Sequence, residues 1–293
     1  MSDTPRKRSL ETGRRYPGST LFGLLCGTAT VLCVTALVGL LATVVAEGAP
    51  WLSTTLLTSF SSRKPELAGI LGSLMGSLWL ISITTLICVP IGVGAAIYLE
   101  EYAANSWWKR LVQLNIANLA GVPSIVYGIL GLGLFVRTLG LGRSVLAGAL
   151  TLALVVLPIV ILAAQEALRA VPPSIRQASY ALGATRWQTV WRQVLPAALP
   201  GVMTGVILAI ARALGEAAPL VAVGAATYVA FVPYSVHDEF SALPLQIFDW
   251  ASRPQEEFHG LASAAILVLL VVLVMLNAGA VYVRLKYGRR IKW

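Results

Sequence analysis

The sequence predicts an all-α, polytopic membrane protein with six transmembrane helices and both termini in the cytoplasm. Three observations carry this expectation. Only 12% of the 293 residues are charged, against about 25% in soluble domains. The apolar residues fall in long blocks, each at or above the roughly 20 residues a helix needs to cross the hydrocarbon layer. The basic residues are shared very unequally between the two sets of intervening loops. A soluble helical core would show polar stripes every 3.6 residues, and barrel strands would alternate over about ten residues. These blocks do neither.

In chain order, residues 1–19 form a polar, basic tail and residues 20–285 the membrane domain, with a second basic tail at 286–293. The first block, Thr20–Ala46, is 27 residues long, too long for the 7–15-residue core of a cleaved signal peptide, and so reads as an anchor. The second, Ile70–Leu99, holds Gly72 and Gly76 at small-xxx-small spacing, which suits close helix packing in lipid, followed by Pro90, Gly92 and Gly94. The third is Leu111–Val136, the fourth Val145–Ala164 and the sixth Leu261–Val283. The fifth, Ala197–Val232, is apolar except for Arg212 and Glu216. An outer segment at 233–260 carries five acids and interleaved aromatics, and predicts short interfacial helices around Pro244 and Pro254.

With the N-terminus inside, sixteen basic residues fall on the cytoplasmic side: Arg6, Lys7, Arg8, Arg14 and Arg15, Lys109 and Arg110, Arg169, Arg176, Arg186 and Arg192, and Arg284, Lys286, Arg289, Arg290 and Lys292. Five (Arg63, Lys64, Arg137, Arg143 and Arg253) fall outside, and Arg212 lies within a span. The net charge of +9 therefore reflects topology and attraction to anionic lipid rather than nucleic-acid binding. Cys26, Cys33 and Cys88 all lie in spans and show no metal or disulfide pattern, and His237 and His259 read as solvated loop residues. No metal site is expected. No Gly-Lys dipeptide occurs, so no P-loop of the GxxxxGK[ST] type is present. An intramembrane enzyme is disfavoured because the spans hold no histidine and one carboxylate, Glu216.

Two places break the apolar pattern. In GVPSIVYGILGLG, residues 121–133, Pro123 lacks the backbone donor a helix needs, so the third span should kink or break there. Ser124 follows, with a hydroxyl and the free N–H groups of a new helix start, which suit an anion. In ARALGEAAPL, residues 211–220, Arg212 and Glu216 stand four apart, one helical turn on one face. A charge at mid-membrane costs roughly 2.5–3.5 kcal/mol on insertion scales, which marks a candidate functional site. Counted at 1.5 Å per residue, Ser124 and Arg212 lie about 20 and 22 Å from the cytoplasmic side. Their similar depth suggests a shared internal cavity. A structural ion pair locking two helices is the alternative.

Residues 172–196 are too long and too apolar for a simple connector. Ser174 with Gln177 makes a capping-box pattern after Pro172 and Pro173, Gly183 supplies a left-handed turn, and a second helix through Trp187 and Trp191 should end at Pro196. The result is a helix–turn–helix elbow with Arg176, Arg186 and Arg192 on its exposed side. It reads either as an interfacial helix on lipid or as a knob for a partner's groove.

Gln177-Ala178-Ser179, then Gly183, then Leu195-Pro196 resembles the EAA loop of binding-protein-dependent ABC importer permeases. The spacing matches throughout, while Gln177 replaces the family Glu and Gln193 the family Ile. GVPSIVYG, ARALGEAAPL and LPLQIF at 243–248 narrow the resemblance to phosphate permeases of the PstA type, over about residues 68–285. The resemblance implies a type I, MetI-like permease fold and no catalysis in this chain. It implies that Gln177, Ala178, Ser179, Gly183 and Ala184 couple to an ATPase, with ATP and Mg²⁺ bound by that partner. It further implies a PstC-like second permease, a dimer of PstB-like ATP-binding subunits and a PstS-like extracytoplasmic phosphate-binding protein. Arg212, Glu216 and Ser124 are the expected contacts to inorganic phosphate. A sulfate or molybdate permease of the same build, which also handles a tetrahedral dianion, is the alternative.

Overall fold

The computed structural model describes residues 17–225 and 228–288. Most of both basic tails, including Arg6, Lys7, Arg8, Arg14, Arg15, Arg289, Arg290 and Lys292, lies outside the described residues. The helices are α1 (Pro17–Gly48), α2 (Thr54–Thr58), α3 (Leu71–Ile97), α4 (Trp107–Ala120), α5 (Ser124–Gly131), α6 (Val145–Arg169), α7 (Pro173–Ala181), α8 (Arg186–Thr189), α9 (Leu195–Leu214), α10 (Ala218–Val223), α11 (Leu243–Ala251) and α12 (Glu256–Gly288). π-helical turns extend α3 (Tyr98–Tyr102) and α5 (Leu132–Thr138), and a third at Val190–Val194 joins α8 to α9.

Five of these stretches are long and apolar enough to span a membrane: Leu21–Trp51, Leu71–Tyr102, Val145–Arg169, Arg186–Leu214 and Glu256–Lys286. A sixth is reached if the pair Trp107–Ala120 and Ser124–Thr138, bent by 100°, is counted as one span. The expected third block is thus two separate helices rather than one kinked helix. Pro123 offers no N–H to the Leu119 carbonyl one turn back. That carbonyl instead accepts from the Tyr127 hydroxyl at 2.7 Å and from the Val122 N–H at 3.1 Å.

The chain divides into two units, Met1–Ala46 and Glu47–Trp293. In the first, the described part of α1 is apolar around its circumference, and three of its threonine hydroxyls bond back to the helix's own carbonyls. Thr28, Thr30 and Thr43 donate to the carbonyls of Leu25, Cys26 and Leu40 at 2.8–2.9 Å.

In the second unit α6 is the central helix. Val145, Ala149, Leu152, Val156, Val160, Ala164 and Leu168 along it are buried. It packs against α3, where a Cβ on Gly92 would stand 2.7 Å from Val160, and where Thr84 and Cys88 donate to the carbonyls of Ala149 and Ala153 at 3.1 and 3.2 Å. On another side it meets α9, where Gly201 and Gly205 give room to Ala167 and Ala163. Small residues do here what they do in lipid generally: they let backbones approach without a desolvation gain.

Gly72 and Gly76 do not serve helix–helix packing as their spacing suggests. Gly72 faces the carbonyls of Val229 and Phe231, and Gly76 that of Ser241, so they admit the outer segment's backbone instead. That segment is partly internal. α11 buries Leu243, Pro244, Leu245, Gln246 and Trp250, with the Leu243 N–H donating to Ser77 Oγ at 2.7 Å, rather than lying at the interface.

Candidate functional site

The expected fifth span, Ala197–Val232, is not one helix. α9 stops at Leu214, tight backbone bonds close Gly215 onto Arg212 (3.0 Å) and Glu216 onto Ala213 (3.3 Å), and α10 restarts at Ala218. Pro219 explains the break, because it has no N–H for the Gly215 carbonyl and its ring would clash there. α10 ends after Val223 on Gly224, whose φ is +85°. The same local signal, a proline in an apolar block, was present in the sequence at both breaks.

The break places the two charges. Arg212 lies in the last turn of α9, where a cation meets the negative end of the helix dipole. Glu216 lies just before α10. The Arg212 Nε donates to Glu216 Oε1 at 3.2 Å, with side-chain exposures of 56% and 18%. Leu208, one turn earlier on the same face, is exposed as well. The guanidinium therefore stands on an open face of an apolar span, with four of its N–H donors not engaged by Glu216.

Ser124 is the first residue of α5 and half-buried. α5 packs on α10 so closely that a Cβ on Gly128 would lie 2.7 Å from the Pro219 backbone. The helices that follow the two breaks in the apolar blocks thus pack directly on each other. Among the described residues no hydrogen bond joins Ser124 to Arg212 or Glu216. The cavity of about 290 Å³ beside α9, lined by Ile207, Ile210, Ala211 and Leu214 among others, includes none of the three.

The elbow forms with the expected left-handed turn at Gly183, φ +79°. Three details differ from expectation. α7 starts on Pro172 without a side-chain cap, because Pro173 is already its first residue and Ser174 therefore lies inside the first turn rather than at the N-cap. The capping box is instead Thr185–Gln188, at 2.9 and 3.3 Å, and it starts α8. Pro196 does not end the second helix. The π-turn at 190–194 carries it into α9 without interruption, with Pro196 sitting in the first turn of α9. Arg176 is not on the exposed side, since it folds inward onto Glu101, while Arg186 and Arg192 remain exposed.

Of the coupling candidates, Gln177 and Ala178 are exposed and Ala184 is half-buried. Ser179 is buried and its hydroxyl shares a 2.8 Å hydrogen bond with Thr189, pinning α7 to α8. A concavity of about 520 Å³ is lined by Ala178, Ser179, Gly183, Ala184 and Gln188 among others, with exposed Leu182 at its rim. Sequence reasoning missed Glu100 and Glu101. Two adjacent carboxylates closing an apolar block were the available signal.

A family model described as the binding-protein-dependent transport system inner membrane component matches residues 88–287, a stretch that contains both broken helices and the elbow. The chain is 36% identical over 270 residues to the phosphate transport system permease protein PstA 1 of Mycobacterium tuberculosis (strain CDC 1551 / Oshkosh), covering 90% of this chain and 87% of that protein. It is 36% identical over 232 residues to the probable ABC transporter permease protein YqgI of Bacillus subtilis (strain 168), covering 78% and 77%. The structure of a bacterial alginate ABC transporter in complex with an alginate pentasaccharide-bound periplasmic protein shares the fold, with a TM-score of 0.65 over 89% of this chain and 92% of that one at 13% identity. The chain belongs to the family of binding-protein-dependent transport system inner membrane components, the permeases of ABC importers.

Proposed function

We propose that this chain is the permease subunit that forms half of the path for inorganic phosphate in an ATP-driven importer. It is a transport subunit of the inner membrane, not an enzyme, and ATP with its Mg²⁺ belongs to a partner subunit. Relatives whose names specify phosphate transport, at 36% identity across nearly the whole chain, favour this anion over sulfate or molybdate.

The observation that carries the reading is the open guanidinium of Arg212 at a helix break within an apolar span. Phosphate near neutral pH is a mixture of mono- and dianion, and a low-dielectric path needs a compensating cation. Arg212 supplies fixed donors suited to a tetrahedral oxyanion. Glu216 holds the guanidinium in place while the path is empty and accepts a hydrogen bond from a protonated phosphate oxygen when it is full. Ser124, at the start of α5 beside α10, supplies a further donor. The elbow, through Gln177, Ala178, Ser179, Gly183 and Ala184, docks against one subunit of a PstB-like ATPase dimer. A PstC-like permease completes the path, and a PstS-like binding protein delivers the anion.

The test is uptake by the assembled complex in proteoliposomes loaded with ATP. Labelled phosphate should accumulate only with ATP inside and binding protein outside, and excess sulfate or molybdate should leave uptake unchanged. Accumulation of sulfate or molybdate in preference to phosphate would overturn the reading.

A further inference from the structure

The root of the elbow holds the most heavily engaged arginine among the described residues. Arg176, on α7, donates from Nε to both Glu101 carboxylate oxygens (3.1 and 3.4 Å) and from Nη2 to Glu101 Oε1 (2.6 Å). It also donates from Nη1 to the Val171 carbonyl (2.8 Å) and from Nη2 to that of Leu168 (3.0 Å). Glu101 is nearly buried, at 6% side-chain exposure, and Arg176 is at 21%. One side chain thereby joins three elements: the π-turn closing α3, the last turn of α6 with its exit, and α7. Beside it, Glu100 pairs with Arg169 at the end of α6 (2.6 Å), but Arg169 is 52% exposed, so solvent screens that pair.

The elbow's other connections are equally definite. Ser179 and Thr189, both buried, tie α7 to α8, and α8 continues through the π-turn into α9 as one stretch from Arg186 to Leu214. That stretch carries Arg212 at its far end. A displacement applied to the elbow therefore has two exits, one along the continuous helix to the Arg212 break and one across the Arg176–Glu101 pair to α3 and α6.

We propose that the Arg176–Glu101 pair is the positioning contact that makes the elbow move α3 and α6 together with α9. The pair suits this task because parting it strands a charge in a largely apolar surround, so the contact stays closed under load. Without it the elbow would follow α9 alone, and ATP-driven motion would reach the path incompletely. This inference rests on the elbow's role as the ATPase contact.

The experiment uses the whole complex in proteoliposomes, with assembly checked by co-purification. The double variant Glu101→Gln/Arg176→Gln leaves no orphan charge, Arg176→Lys keeps the charge with a different reach, and Glu100→Gln is the control. Expected is an assembled double variant that hydrolyses ATP but moves at least about fivefold less anion per ATP, the lower range of coupling between sites, with Arg176→Lys intermediate. Glu100→Gln should stay within about twofold of wild type, as a screened pair implies. A double variant with a wild-type anion-to-ATP ratio overturns the inference. So does failure of both the double variant and Arg176→Lys to assemble, which would make the pair a folding contact only. If the wild-type complex moves an anion other than phosphate, the ratio is read for that anion, and the substrate assignment falls while this inference stands. If it moves none, stimulation of ATP hydrolysis by the binding protein is measured instead, and wild-type stimulation in the double variant overturns the inference equally.

Discussion

At the scale of single residues, Arg212 and Glu216 have unequal surroundings, and that inequality gives their variants different expected outcomes. A structural ion pair needs both partners enclosed, and loss of either then leaves a buried charge behind. Here the carboxylate is largely covered while the guanidinium is more than half exposed. Arg212→Gln keeps a hydrogen-bonding side chain but removes charge-assisted contacts worth about 1.5–3 kcal/mol, so affinity for the anion in the path should fall about ten- to a hundredfold. Assembly and basal ATP hydrolysis should persist. Glu216→Gln should retain uptake, with altered affinity or pH dependence. Labelled-anion uptake at matched assembly checks both, and equal loss in the two variants would return the pair to a structural role. Both residues were legible in the sequence because a charge in an apolar block is conspicuous on its own. The pairing of Glu101 was not, since the two adjacent carboxylates that close its apolar block say nothing of a partner 75 residues away.

At the scale of elements, the elbow shows which features a sequence reveals. Gly183 was legible because a left-handed residue has a local signature, and its φ of +79° fulfils it. The continuity of α8 into α9 was not, because Pro196 reads as a terminator until the π-turn before it makes room. The Ser174–Gln177 pattern failed for the opposite reason, since a proline suited to the first helical position starts α7 at Pro173 and leaves Ser174 inside the first turn. Gly183 also permits a clean measurement. A Cβ there would meet nothing within 4 Å, so the cost of substitution is conformational: about 1–2 kcal/mol for an ordinary residue, less for Asn and more for a β-branched one. Transport-stimulated ATP hydrolysis should therefore fall in the order Gly183→Asn, Gly183→Ala, Gly183→Val, with membrane insertion intact in all three. Wild-type coupling in Gly183→Val would exclude this turn from the ATPase contact.

At the scale of the whole molecule, the apolar blocks made the span count legible, but not the path of the third block. The 100° bend between α4 and α5 allows either a broken span or a re-entrant loop, and the choice sets the side of everything that follows. Local charge does not decide it, with Lys109 and Arg110 at one end and Arg137 and Arg143 at the other. Global charge does. A broken span leaves sixteen basic residues inside and five outside, whereas a re-entrant loop moves the basic residues of the elbow and the C-terminus outward and leaves ten inside and eleven outside. The positive-inside rule strongly favours the first, and so does any role for the elbow beside a cytoplasmic ATPase. Asn105 and Leu139 are exposed residues flanking the bent pair, so cysteines placed there report its path directly. With Cys26, Cys33 and Cys88 replaced, Asn105→Cys should react with a membrane-impermeant thiol reagent only from the cytoplasmic side and Leu139→Cys only from the outside. A third probe at exposed Gln255 should react from the outside. Labelling of positions 105 and 139 from one side would make the pair re-entrant. It would also reverse the elbow, and the coupling and path assignments built on its position would fall together.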